Sequence, residues 1–292
     1  MIKVIIGIDD TDNPESKGTG TIAEEMCDII REKHWGVPTF ITRHQLFIHP
    51  DVPYTSHNSS MIFTAEVKEE IYDEMIEILS THLRIESADG SDPGICIGKI
   101  DKIENKEELL KYAYDAKKRV LTKKMAYDLA KHCNLYLNEE GGDGQGVVGA
   151  LAGVGLRLDG NDGEIKGGVE GFEKGEIVKV SDFLAHKEIR KVIDDDFNEV
   201  PADEEVKVRW KVKPVLHNGE PTLVISKNNK GDYVSMNKEE MRAFGDKRLD
   251  TSGCELFVRD VLEETFTDLE GCYNCRYRRW TKESFTCMKG MR

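Results

Sequence analysis

Three carboxylates, Asp9, Asp10 and Asp12, follow an apolar run in the segment VIIGIDDTDNPESKGTGT (residues 4–21), and a loop rich in Gly and Thr follows them. A hard cation such as Mg²⁺ takes one or two carboxylates and leaves its other positions to water and phosphate oxygens. Main-chain N–H groups of a turn that opens a helix cradle phosphate. Acid cluster and Gly-Thr loop thus supply both halves of a magnesium–nucleotide site, with Asp9 and Asp10 toward the metal and Gly18 and Thr21 in the phosphate loop. The apolar run reads as a buried parallel strand, whose carboxyl end is where open α/β sheets place their ligands. Asp-Asp-Thr-Asp-Asn-Pro is equally good turn chemistry, because Asp and Asn side chains cap the backbone and Pro fixes φ.

Two further groups of residues have chemical potential. GGDGQGVVGALAGVG (141–155) is a Gly-rich loop running into an Ala/Val helix, where Gly142, Gly144 and Gly146 would let the main chain approach a phosphate. It lacks the Lys-Ser/Thr ending of a Walker A loop, and small residues also permit tight helix packing. Near the C-terminus, Cys272-x-x-Cys275 and Cys287 have knuckle spacing, and Cys254 would complete a four-thiolate set for zinc or an iron–sulfur cluster. The alternatives are a three-ligand site and a redox dithiol. Cys27, Cys96 and Cys133 sit in apolar segments and are expected to be buried.

With these motifs in order, the chain resembles the archaeal synthetases that attach agmatine to the wobble cytidine of an isoleucine tRNA. The resemblance covers roughly residues 1–170 and rests on GIDDTD (7–12), the Thr-bearing loop (18–21), PDVPY (50–54), GSDPGICIG (90–98) and GVVGALAGVG (146–155). It implies a kinase-like ATP-binding domain accompanied by a ferredoxin-like domain, an OB-fold and a zinc ribbon. It also implies ATP-driven phosphorylation of the cytidine carbonyl oxygen, displacement by agmatine, and phosphorylation of a loop threonine. Carried over by position, Asp9, Asp10 and Asp12 do the metal and phosphate work and Thr19 is the phosphorylated threonine, with Thr21 the alternative if the loop shifts. A helix N-cap is the competing role for Thr19. This chain departs from the family at YTSHNSS (54–60), at GTGT (18–21) and in its reduced cysteine set.

The chain has 292 residues, seven cysteines and a formal net charge of −14. Its length suits two or three domains, and its acidity disfavours indiscriminate nucleic-acid binding. Locally the balance reverses: Arg276, Arg278, Arg279, Lys282, Lys289 and Arg292 face only Glu283, interleaved with Tyr277, Trp280 and Phe285. That tail is either an RNA-holding arm or a solvated terminus. Lys3 precedes only a short apolar run before Asp9, so neither a signal peptide nor a membrane anchor is expected, and the cytoplasm is the expected location.

The elements that must position these groups follow from periodicity. Strands are predicted at 4–8, 38–48, 60–67 and over ICIGKI, and helices at 20–33, 68–83, 105–118 and 122–134. Glycines between 160 and 175 predict turns, and the acidic stretch 194–205 reads as a solvated linker. VKVRWKVK (206–213) alternates as a strand with a four-cation face, and HNGE (217–220) turns it toward PTLVISK. The predicted class is α+β or α/β multidomain. It comprises a kinase-like ATP-binding region (1–175) with a ferredoxin-like unit near 60–135, a small β-rich OB-like domain (176–250), and a Cys-rich basic tail (251–292). Three functions fit: an ATP- and Mg-dependent ligase or phosphotransferase acting on RNA, the same chemistry on a small molecule, and a non-catalytic nucleotide-binding module.

Overall fold

In the computed structural model, the described residues are 1–13, 15–48, 58–237, 239–241 and 244, with the backbone of 278–280 and 285–287. They form a mixed α/β structure of two compact units, Met1–Asp159 and Gly160–Arg292.

The first unit is built on β1 (Ile2–Asp9), followed by α1 (Thr19–Glu32), β2 (Gly36–Pro38), β3 (Thr42–Gln45), β4 (Ser59–Val67), α2 (Tyr72–Glu86) and β5 (Gly94–Lys99). Counting β2 and β3 as one interrupted strand, this is a β-α-β-β-α-β chain. Its order across the sheet is β5-β1-β4-β3, the split-βαβ pattern of ferredoxin-like units. The strand and helix predicted at 60–83 form its second half. α3 (Lys106–Asp115), α4 (Lys123–His132), β6 (Tyr136–Glu139) and α5 (Gly146–Asp159) complete the unit, with β6 extending the sheet beside β5.

β1 is antiparallel to both neighbours, pairing Ile8 with Met61 on β4 and Asp9 with Gly94 on β5, which corrects the expectation of a parallel strand. Its unbroken apolar run has another cause: helices cover both faces. Val4, Ile6 and Ile8 pack with Ile22, Met26 and Ile30 of α1 and Met75, Leu79 and Leu83 of α2, residues spaced to share a helix face. On the opposite face Ile5 and Ile62 join Leu109, Ala126, Ala150 and Val154 from α3, α4 and α5. α5 lies directly on the sheet. A Cβ at Gly7 would meet the Ala150 carbonyl at 2.8 Å, and one at Gly94 would overlap main-chain atoms of Gly146 and Val147.

α4 shows how local chemistry fixes an end. Thr122 is its N-cap, and its Oγ1 accepts from the Met125 N–H at 3.3 Å. Thr122→Ala should lower stability by about 1 kcal/mol, read as a shift in urea midpoint at unchanged slope.

The second unit is β-rich: β7 (Glu164–Ile165), β8 (Ile177–Lys179), α6 (Val180–Leu184), β9 (Lys191–Asp194), β10 (Glu205–Lys207), β11 (Val215–His217), β12 (Glu220–Lys227) and β13 (Tyr233–Ser235). β12 pairs antiparallel with β11 and β13 and parallel with β9, while β10 pairs parallel with β13. The β11–β12 turn has Asn218 and Gly219 both at positive φ (51° and 78°), the two-residue hairpin that Asn-Gly favours. β14 (Arg278–Trp280) and β15 (Phe285–Cys287) form an antiparallel pair of their own.

Two expectations fail here. The strand predicted over 206–213 ends at Lys207, because the Ser235 hydroxyl takes the Arg209 and Trp210 N–H groups and leaves Trp210 exposed. The acidic stretch 194–205 is no linker. Val200 is buried, its N–H donates to the Val192 carbonyl, and Glu205 opens β10 inside the unit.

Candidate functional site

Asp9 is the last residue of β1, and because the strand alternates, its side chain falls on the α5 face. A Cβ at Gly149 would overlap its carboxylate, so glycine is what lets α5 close over it. Asp10 then leaves the strand with φ 54°, a left-handed conformation that Asp tolerates better than most residues. Asp12 lies next, and Gly18 would place a Cβ 3.6 Å from its Oδ2.

Register brings in residues from far along the chain. Since Asp9 pairs with Gly94, the segment before Gly94 runs beside the one after Asp9. The Ala88 N–H donates to the Thr11 carbonyl (2.9 Å), the Gly146 N–H to the Asp92 carbonyl (2.9 Å), and the Asp143 N–H to Asp92 Oδ1 (2.6 Å). Segments 10–12, 88–93 and 140–146 are thereby stitched together. Asp92 and Asp143 join the three aspartates read from sequence, and neither had been singled out. Asp92 stands in a motif that resembles the family's, but its place opposite Asp10 depends on strand pairing.

The electrostatics record this crowding. Burial, then the charges of Asp10 and Asp12, pushes the Asp9 carboxyl well above the usual range. Burial, followed by repulsion from Asp92, Asp12 and Asp143, raises Asp10 to about 6, only partly offset by a main-chain hydrogen bond from Asp92. Carboxylates that repel one another in a half-buried setting are a hard-oxygen donor set, and this fits Mg²⁺. Among the described residues no three His, Cys, Asp or Glu side chains already converge as a closed metal site. Magnesium needs no such cage, since phosphate and water complete its shell.

Thr19 is buried as the first residue of α1, and its hydroxyl accepts from Thr11 Oγ1 at 3.0 Å. The N-cap is Gly18, without a side-chain cap, so the capping role weighed for Thr19 falls to its neighbour. Thr21 is exposed on the same helix. Just before them, Lys17 pairs with Glu25 at 2.7 Å and with Glu86, tying the Gly-Thr loop to α1 and α2.

The second Gly-rich stretch divides its labour. Gly142 and Gly144 have positive φ (56° and 71°), and a Cβ on them would run into Asp92 and Glu139. Gly146 is pressed against the carbonyls of Asp9 and Asp92, and Gly149 and Gly153 lie against Asp9 and Ser60. Packing therefore explains the helix glycines, and that packing sets the loop beside the aspartates. Cys254, Cys272, Cys275 and the Cys287 side chain lie outside the described residues, as do PDVPY and most of the basic tail. Cys27, Cys96 and Cys133 are buried and unpaired by disulfides.

No family model matches the chain, and no curated protein does. Solved structures do. A tRNA fluorescent labeling enzyme is 24% identical with a TM-score of 0.46, over 53% of this chain and 36% of its own. The TiaS–tRNA(Ile2)–ATP complex has the same values, and apo TiaS, tRNA(Ile2) agmatidine synthetase, is 24% identical at a TM-score of 0.44. The matched region spans about a third of the length of those proteins. The two TiaS neighbours belong to the family that the sequence motifs resemble.

Proposed function

We propose that this protein is an ATP- and Mg²⁺-dependent enzyme of the ligase or phosphotransferase kind that activates an acceptor by phosphoryl transfer. The observation that carries the reading is the convergence of Asp9, Asp10, Asp12, Asp92 and Asp143 around a threonine pair, Thr11 and Thr19, at the open end of β1. Asp9 and Asp10 would hold the metal. Magnesium, when bound, neutralises phosphate charge. The loops at 18–21 and 142–146 would flank the phosphates with main-chain N–H groups.

Thr11 orients the Thr19 hydroxyl, which is the proposed first acceptor. Its oxygen would form the new O–P bond as the bond from the γ-phosphorus to the ADP oxygen breaks, and its proton would pass to an aspartate. The motif resemblance proposes the wobble cytidine of a tRNA as final acceptor and agmatine as the amine. The loss of a cation at 54–60 makes a small-molecule acceptor the second reading. The cysteine tail is proposed as a zinc or iron–sulfur site that folds a segment too short for a core.

Intact-mass analysis after incubation with Mg-ATP tests the threonine. One added phosphate is expected on the wild type, none on Thr19→Ala, and wild-type levels on Thr21→Ala. Labelling that survives Thr19→Ala and disappears in Thr21→Ala would move the acceptor to Thr21. A wild type that binds Mg-ATP without any labelling or turnover would leave only the nucleotide-binding module.

A further inference from the structure

Side chains from two other segments hold the loop at 140–146. The Asp143 N–H donates to Asp92 Oδ1 at 2.6 Å. Lys123, the first residue of α4, donates from Nζ to the Asp143 carbonyl and to Glu139 Oε2, the latter at 3.0 Å. Tyr127, one turn further along α4, donates its hydroxyl to the other Glu139 oxygen at 3.0 Å. The Glu139 carboxylate lies against Gly144, where a Cβ would overlap it. Lys123 and Tyr127 thus grip one carboxylate, and that carboxylate fills the space a side chain at 144 would need.

The hold on Asp143 fixes more than one atom. A trans peptide is planar, so the carbonyl of residue 143 and the N–H of residue 144 point in opposite directions. With the carbonyl committed to Lys123, the Gly144 N–H is turned away from that lysine. Gly144 is buried, and among the described residues its N–H has no acceptor. The N–H groups of Asp143 and Gly146 differ, since Asp92 takes both. A buried main-chain donor left without a partner costs about as much as a lost hydrogen bond and is rare in folded proteins. An oxygen of an anionic ligand would satisfy it.

We propose that Lys123 is a positioning residue for the nucleotide: anchored on Glu139, it holds the Asp143 carbonyl so that the Gly144 N–H is presented to a phosphate oxygen. The inference rests on the Mg-ATP reading and adds to it a lysine outside the motifs, one that acts without touching the nucleotide.

Calorimetric titration of the full chain with Mg-ATP is the test. Lys123→Met should weaken Mg-ATP about tenfold, the scale of one charge-assisted hydrogen bond. Lys124→Met removes the same charge from an exposed pair with Asp128 and should change affinity by less than about twofold. Lys123→Arg retains donors for both the carbonyl and Glu139, and should recover affinity to within about threefold of wild type. The weakening in Lys123→Met should recur with Mg-pyrophosphate and be absent with adenosine, which offers no phosphate. Should Lys123→Met fail to fold, Lys123→Gln, neutral and too short to reach the carbonyl, carries the same expectation. Wild-type Mg-ATP affinity in these variants, or equal weakening for adenosine or in Lys124→Met, would overturn the role of Lys123 and leave the Mg-ATP reading intact. A wild type that binds neither Mg-ATP nor Mg-pyrophosphate would overturn both.

Discussion

Asp10→Asn is expected to lower Mg-ATP affinity by about 100-fold or more while making the nucleotide-free protein more stable. The two effects share one cause. Asp10 is raised to about 6 by burial and by Asp92, Asp12 and Asp143, so at neutral pH the folded state holds a charge it would rather not have. Its folded pKa exceeds the unfolded value of 3.8, so between those limits the folded state binds more protons and stability falls as pH rises. An uncharged isostere removes a destabilisation of roughly 2 kcal/mol at pH 7 once solvent screening is allowed for. Asn also accepts left-handed φ, so the backbone at φ 54° is not strained by the change. Melts without divalent ions should show wild-type Tm climbing as pH drops from 7 toward 5, with a smaller climb in Asp10→Asn. Calorimetric Mg-ATP affinity should move the opposite way, weakening below about pH 6 as the carboxylates take up protons. Unchanged calorimetric affinity in Asp10→Asn would remove these aspartates from the metal site.

The second large effect is expected at Gly94, where β5 begins. An added methyl there would overlap main-chain atoms of Gly146 and Val147, so the clash cannot be relieved by a flexible side chain. Gly94→Ala should lower stability by about 3 kcal/mol or more, at the upper end for overpacking, and should weaken nucleotide binding by prising the 140–146 loop from Asp92. Gly171→Ala is the control. It has positive φ with nothing within 4 Å, so only backbone strain of about 1 kcal/mol is expected. Equal urea midpoints for the two variants would contradict the close contact of α5 with β5.

The sequence displayed the aspartates, the helix over 20–33 and the hairpin at HNGE because each rests on local chemistry: side-chain type, apolar spacing, an Asn-Gly pair. What it hid was long-range. A strand covered on both faces reads as VIIGI whichever way its neighbours run, so the antiparallel pairing of β1 left no mark in composition. Asp92 and Asp143 looked like turn residues until the Asp9–Gly94 pairing set them beside Asp10. In VKVRWKVK, Val206, Val208 and Val212 are buried as the alternation predicted, yet the ladder stops because Ser235, distant in sequence, claims the next N–H groups. Gly142 and Gly144 showed that a loop was present, and not that carboxylates fill the space where side chains would have gone.

The placement of β1 also governs the order of events during folding. Its partners are residues 59–67 on one side and 94–99 on the other, and the helix that closes over Asp9 starts only at Gly146. Such separations are slow to close, since chain entropy is lost before the contacts repay it. A chain emerging from the ribosome can form α1 and α2 early, but Asp9 is covered by α5 and Asp143 joins the other aspartates only when the segment through Gly149 has arrived. The least comfortable part of the molecule is therefore assembled last, when the rest of the unit is already present to hold it.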